Sequence, residues 1–355
     1  MRRVIGALSA TLLILLLGAG QALACGGLIG PNGAVNLLRT TTFAGYHNGE
    51  EHYVTAFQFA GGGGAFGSIT PLPGVPSKVE KGGAWTLQRL VLETEPVGEA
   101  AFAVPAASGA RDSAEELMKV RIDALDVTVL RGGAAEIGVW AKDHGFRLPP
   151  DAPEVLEFYA SRSPIFLAAS FDADAAAERG QAVGDGTPVH ITIPTDDPWV
   201  PLRILALGKS GEERVEADVY LLTDARPNLL PTPVGVNGIS LDHSRAASDL
   251  LLTDLRSDRG MEWVPSTGWL TKVRVDGSAA QIAYDLAIDE TGAGMPSRVD
   301  AGWDLPLSAA TEAAQGVDTA RVGLAVGVVA LGVGMVIALM AVRPRSGRFP
   351  GTPAA

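Results

Sequence analysis

The sequence predicts an α+β, β-rich fold of antiparallel sheets with a few short inserted helices, followed by one C-terminal transmembrane helix. Three observations predict it. Several segments alternate apolar and polar side chains with period two. Two short stretches instead space their apolar residues three or four apart. Val322 to Val342 runs without a charged or strongly polar side chain.

The alternation is the mark of strands with one buried face. Val215, Ala217, Val219 and Leu221 oppose Glu216, Asp218 and Tyr220; Val189, Ile191 and Ile193 oppose His190 and Thr192. Met118, Val120, Ile122 and Ala124 oppose Lys119, Arg121 and Asp123, and Ile282, Tyr284, Leu286 and Ile288 oppose Gln281, Ala283, Asp285 and Ala287. Further strands are expected near 35–43, 52–59, 86–93, 164–170, 202–207 and 269–275. Polar outer faces suit antiparallel sheets better than parallel ones, which are normally buried on both sides.

Helices enter as insertions. Ala134 to His144 places Ile137 and Trp140 three apart, with Gly145 positioned to cap the C-terminus. Pro149-Pro150-Asp151 opens a second helix whose Val155, Phe158 and Tyr159 form an apolar stripe. A third is expected at 244–255, and Gly61 to Gly64 reads as a loop between strands.

The two ends define compartments. Arg2 and Arg3, the apolar Leu12 to Leu17 and the small residues Ala22 and Ala24 compose a signal peptide over 1–24, with Cys25 the first mature residue. A lipidated Cys25 is the other reading, and Ala22 stands where a lipobox prefers Leu. At about 1.5 Å per residue the 322–342 run spans a hydrocarbon core of about 30 Å. Arg343, Arg345 and Arg348 follow it without an acidic residue, which places the 343–355 tail in the cytoplasm and the 25–303 domain outside, joined by a 304–321 stalk. The expected location is the cell membrane, single-pass. Within the span, Gly323, Gly327, Ala330, Gly334, Ala338 and Ala341 share one narrow face, a pattern that lets a partner helix or a second copy approach closely.

Charge narrows the ligands. Leader and tail hold five of the 28 basic residues and none of the 40 acidic ones, so the outer part carries 23 − 40 = −17. Such a surface repels nucleic acid. A single cysteine excludes an internal disulfide, so burial must stabilise the domain.

In the middle of the chain, Asp126-Val127-Thr128-Val129-Leu130, Trp140, Gly145-Phe146-Arg147-Leu148-Pro149 and Val155-Leu156-Glu157-Phe158-Tyr159 follow one another. Together with Cys25-Gly26-Gly27, Pro201-Leu202-Arg203 and Trp269-Leu270-Thr271-Lys272, they resemble the bacterial domain-of-unknown-function family 2330 across most of 25–290. Leu28 and Ile29 depart from the aromatic residues that tend to follow the Cys-Gly-Gly start. The resemblance implies an exported protein, often with a terminal membrane helix, and implies no activity.

Motifs for catalysis are incomplete. Gly208-Lys209-Ser210 ends like a phosphate-binding loop, yet Arg203 occupies the position where that loop needs Gly. His47 and His52 flank a turn with Glu50 and Glu51 but lack helical metal-site spacing; His144 and His190 have no motif around them. Asp242-His243-Ser244 has triad residue types, but adjacent residues do not make a triad. Asp172-x-Asp174 is too short for a calcium loop, Asp196-Asp197 is ordinary in an acidic domain, and Leu305 to Ala309 departs from a sortase signal. No catalytic, metal-binding or cofactor-binding residue is assigned.

The reading is therefore a membrane-anchored extracytoplasmic binding or scaffolding domain, non-catalytic and cofactor-free. Its alternatives are an envelope hydrolase or metal enzyme with a site assembled only in three dimensions, and an accessory subunit of a membrane complex.

Overall fold

The computed structural model describes residues 27–31, 33–34, 40–58, 66–94, 116–178, 180 and 186–304. Alternating side chains build its largest sheet, ordered β14 (Ile239–Ala246), β15 (Trp269–Ser278), β12 (Arg214–Thr223), β3 (Thr40–His47), β4 (Glu50–Gln58), β10 (Gly186–Pro194) and β6 (Lys78–Lys81). β3 and β12 pair in parallel and the other neighbours are antiparallel. Asn48 and Gly49 both adopt positive φ, 54° and 80°, the geometry that joins β3 to β4 through a tight hairpin.

A second sheet runs β2 (Gly33–Ala34), β1 (Gly27–Gly30), β5 (Phe66–Pro71), β9 (Ile165–Phe171), β8 (Leu125–Arg131) and β7 (Glu116–Ile122), antiparallel throughout. A small sheet joins β11 (Trp199–Val200), β16 (Leu286–Asp289) and β13 (Asn228–Leu230).

Period-two geometry then makes four layers. On β12 the odd residues Val215, Ala217, Val219 and Leu221 face a core shared with Ile165, Leu167, Ala169 and Phe171 of β9. The even residues Tyr220 and Leu222 face the other way, against Leu90 of helix α1 (Thr86–Thr94) and Leu251, Leu252 and Leu255 of α5 (Asp249–Ser257). On β9, Phe166 and Ala168 likewise point outward, against Ile137 and Trp140 of α2 (Ala134–Asp143) and Val155, Leu156 and Tyr159 of α3 (Ala152–Ala160). The two sheets thus form a sandwich covered on both outer faces by helices. A short α4 (Ala173–Glu178) follows β9.

Strands at 116–122, 165–171, 186–194, 214–223 and 269–278, and the helices over 134–143 and 152–160, agree with the alternation and the caps. Gly145, at φ 77°, ends the run into α2's C-terminus, while the Glu136 side chain accepts from the Gly133 amide 2.7 Å away at the other end.

Four expectations are corrected. Residues 86–94 are helical, because Leu87, Leu90 and Val91 follow helix spacing and a distant carboxylate holds the helix start. Asp258 accepts hydrogen bonds from the amides of Ala84, Trp85 and Thr86 at 3.2, 3.2 and 2.8 Å, and from Thr86 Oγ1 at 2.7 Å. Residues 203–206 form a 3-10 turn, since the amides of Leu202, Arg203 and Ile204 all turn toward buried acceptors. Of 281–288, only the part from Leu286 onward enters a ladder, and Asp285 is buried. The helix expected at 244–255 starts after Ser248, whose hydroxyl accepts from the Leu251 amide, and 244–246 belong to β14.

The signal-cleavage residues Ala22, Ala24 and Cys25, the loop 61–64, the 305–321 part of the stalk, and the span with Gly323, Gly327, Ala330, Gly334, Ala338 and Ala341 lie outside the described residues. Among the described residues no helix is long and apolar enough to cross a membrane.

The Asp258 cap gives a direct test. Asp258→Ala removes the acceptor of the Ala84, Trp85 and Thr86 amides at the entry to α1, and loss of an N-terminal cap costs about 1–2 kcal/mol within a range of about 0.5–2. Denaturant unfolding should show at least that loss, with amide exchange accelerated first at 84–88; unchanged stability would contradict the assignment.

Candidate functional site

The register of the large sheet aligns His243, Lys272, Tyr220, Phe43, Val54, His190 and Glu80 in one row across neighbouring strands, on the face covered by α1 and α5. Leucines of the two helices cover the apolar centre of that row. Its titratable members are left at the two ends.

At the β10 end, His52 and His190 are both buried, and His52 Nδ1 lies 3.1 Å from His190 Nε2. Trp263 stacks flat on His52, with ring centroids 3.8 Å apart and planes 2° apart. Gly45 lies across β3 from His52, and a Cβ there would come within 2.1 Å of the Trp263 ring. Only glycine leaves room for the stack. Glu80 Oε1 stands 3.6 Å from His190 Nδ1 and is itself bound by Lys78 at 2.6 Å. With that carboxylate facing Nδ1, we assign the His190 hydrogen to Nδ1, so that His52 Nδ1–H donates to His190 Nε2. Burial pulls His52 down to about 3 and His190 to about 4, so both rings are neutral at pH 7. Alternation puts His190 on the polar face of its strand; His52 and the segment through Gly260 bury it instead.

At the β14 end, the buried Lys272 Nζ lies 3.6 Å from Asp218 and 5.4 Å from the centre of the Tyr220 ring. His243 faces Arg245, whose guanidinium donates to its ring at 3.2 Å. The triad-like tripeptide does not assemble. Asp242 pairs with Arg274, and Ser244 accepts from Trp269 Nε1, so all three side chains serve other partners.

The remaining candidates are structural. His47 Nδ1 meets Asp224 at 2.8 Å, and His144 stacks on Trp140. The Gly208 amide donates to Asp151, Ser210 to Glu213, and Arg203 pairs with Glu154. Asp172 accepts from the Ala175 amide at the start of α4, which contains Asp174, and the Asp197 amide donates to Thr195. Among the described residues, no group of three or more His, Cys, Asp and Glu side chains is placed to hold a metal ion.

Two buried acids escape a sequence reading. Asp285 accepts from Tyr159 Oη and from the Leu202 and Arg203 amides at 2.9, 2.6 and 2.9 Å, and forms an ion pair with Arg162. Glu51 is buried near the start of β4, opposite Tyr46 of β3 and Ile193 of β10. Burial raises its carboxyl to about 8, against a smaller lowering by the Trp199 backbone amide. Alternation had marked Asp285 as solvated, and nothing local distinguishes Glu51 from Glu50.

Glu51 carries a pH prediction. A carboxyl whose folded value lies above its ordinary 4.5 keeps its proton longer in the folded state. Its stabilising effect is complete below pH 4.5 and is lost as pH rises toward 8. Urea unfolding at pH 5, 7 and 9 should show the wild type weakening relative to Glu51→Gln as pH rises; parallel profiles would contradict the buried neutral acid.

Comparison with known proteins adds a family and no activity. No curated protein matches the sequence significantly. Among solved structures, baculovirus P35 shares 10% identity over 71% of this chain and 96% of its own, at a TM-score of 0.37. The caspase-8/P35 complex gives 9% identity over 70% and 95%, at 0.36. Likenesses of this size carry no argument about this protein. Residues 19–289, however, match the family described as "Uncharacterized protein conserved in bacteria", DUF2330. The chain belongs to the bacterial domain-of-unknown-function family 2330.

Proposed function

We propose that this protein is a membrane-anchored, extracytoplasmic binding or scaffolding protein of the bacterial cell surface, without catalytic activity of its own. Anchorage rests on the sequence: an Ala22-x-Ala24 leader, the uncharged 322–342 run and the arginines at 343, 345 and 348. The observation that supports binding is the outer edge of β14. β14 ends the large sheet, and Leu241 is 43% exposed on it. The turn before it presents Val234 and Val236, 60% and 85% exposed. Beyond the Val234–Ser240 bridge no described strand pairs with this side of β14, and an edge bordered by apolar side chains suits an extended segment of a protein partner added as a further strand. The irregularity between Leu241 and His243, with Asp242 and Arg245 alongside, interrupts the edge and so favours a matched partner over indiscriminate pairing.

The accessory-subunit reading rests on a different feature, the Gly323, Gly327, Ala330, Gly334, Ala338 and Ala341 face of the membrane run. Self-association through that face is its simplest form.

Photo-crosslinking of the full-length protein in cells separates these readings. A photoreactive residue at Val236 should yield one reproducible protein adduct, and the same residue at Leu92 on α1 should not. Adducts absent at Val236, or equal at both positions, would overturn the edge reading. Loss of association in Gly327→Leu/Gly334→Leu with the Val236 adduct retained would assign partner contact to the span as well.

A further inference from the structure

His52 and His190 are arranged so that one hydrogen fits between their facing nitrogens and two do not. With His52 Nδ1 donating to His190 Nε2 at 3.1 Å, a proton on His190 Nε2 would set two N–H groups against each other. A first proton leaves the hydrogen bond intact on either ring, since a doubly hydrogenated His190 donates from Nε2 to His52 Nδ1 and a doubly hydrogenated His52 donates from Nδ1 to His190 Nε2. A second has no place in the closed pair.

The charged groups around the pair come from each element packed on it. β6 contributes Glu80 and Lys78, β3 contributes His47, and the segment after α5 contributes Glu262. Glu80 and Glu262 favour a cation at His190; Lys78 opposes it, as His47 does at His52. Asp258 is occupied with the start of α1, and Arg259 beside it is exposed. Gly260 lies against His190, where a Cβ would come within 2.9 Å of Nδ1. Desolvation is the largest influence on both rings and resists their charging.

The pair is mechanically connected. Trp263 lies on His52 in the space that Gly45 leaves open, and it sits in the same short segment as Asp258, Met261 and Val264. Asp258 holds the first-turn amides of α1; Met261 and Val264 fill the apolar layer beneath α1 and α5. Displacing His52 therefore acts on the seat of this segment and, through it, on the start of α1.

We propose that the Glu80–His190–His52–Trp263 stack is an acid-released latch. Double protonation drives the imidazoles apart, unseats Trp263 from Gly45 and frees 258–264 with the first turn of α1, while the central sandwich stays folded. One end of the apolar helix-covered face is thereby exposed. The latch is independent of the edge-binding reading above.

The direction of the pH effect follows from linkage. Both folded-state values lie below the ordinary 6.5, so the closed state has its full stability above pH 6.5 and loses it as pH falls toward 4. Uptake of two protons on opening raises the opening equilibrium by up to roughly 100-fold per pH unit.

Hydrogen exchange on the full-length protein at pH 7, 6, 5 and 4, corrected for intrinsic rates, tests the latch. Peptides covering 84–94 and 258–264 should lose protection steeply and reversibly below pH 6.5, while those of β9 and β12 keep theirs. In His190→Asn the dependence should fall to one proton, up to roughly tenfold per pH unit. Protection unchanged at pH 4, loss spreading at once to β9 and β12, or a dependence unaltered in His190→Asn would each overturn the proposal. Should His190→Asn fail to fold, ring nitrogen shifts of the wild-type histidines decide. They must change in the same pH interval as the loss of protection, and titration without that loss overturns the latch.

Discussion

Asp285 and Arg162 form a buried ion pair on which one half of the architecture converges. The carboxylate accepts the Tyr159 hydroxyl of α3 and the amides of Leu202 and Arg203, and it immediately precedes β16 of the small sheet. Tyr159 Oη in turn accepts from the Ile204 amide at 2.8 Å. The guanidinium is surrounded by the Phe158, Tyr159 and Trp199 rings, 4.6, 5.0 and 4.3 Å from their centres, and donates to the backbone carbonyls of Val299 and Asp300. Burial pulls Arg162 down to about 10, which still leaves it charged at neutral pH. A buried pair of this kind adds little over an apolar replacement, but removing one partner strands the other charge and costs about 3–5 kcal/mol. Its role is to fix where a helix, a 3-10 turn, the small sheet and the 297–303 turn meet.

A comparable device operates on the opposite outer face. There Asp258 gathers the first-turn amides of α1 across more than 170 residues of chain, and Gly83 beside it has no room for a Cβ, which would fall 2.0 Å from that carboxylate. Each outer layer thus has a buried acid that ties elements far apart in the chain, Asp258 joining the C-terminal end of α5 to the start of α1 and Asp285 joining α3 to the approach of the small sheet, while leucines and aromatics seat the helices on the sandwich. The stack of Trp263, His52 and His190 adjoins the second device. Acid conditions bear on its two imidazoles.

Much of the fold was legible in the sequence, for identifiable reasons. Val215, Val219 and Leu221, or Val189, Ile191 and Ile193, keep strict alternation because they face the apolar core between the sheets, and Gly145 and Pro149-Pro150 mark helix ends locally. What misled was the assumption that the opposite faces meet water. Helices cover both sheets, so His190, His52 and Lys272, polar by alternation, are buried. Residues 86–94 and 203–206 were misread because what holds their amides, Asp258 in one case and Asp285 with Tyr159 in the other, lies far along the chain. The candidate cluster was legible only in part: His52 and His190 are visible as histidines, but their meeting depends on β4 and β10 pairing across 138 residues. The family resemblance was readable from short segments, several of which prove to be buried: β8, Trp140, the apolar face of α3 and β15.

Distant buried acids, Asp285 foremost, hold the outer elements in place relative to one another. A double-mutant cycle between Arg162→Met and Asp285→Asn, read by denaturant unfolding of the full chain, tests it most directly. Each single change should cost about 3–5 kcal/mol, and the pair together much less than their sum, with a coupling of about 2–3 kcal/mol. Small single effects that add without coupling would contradict it.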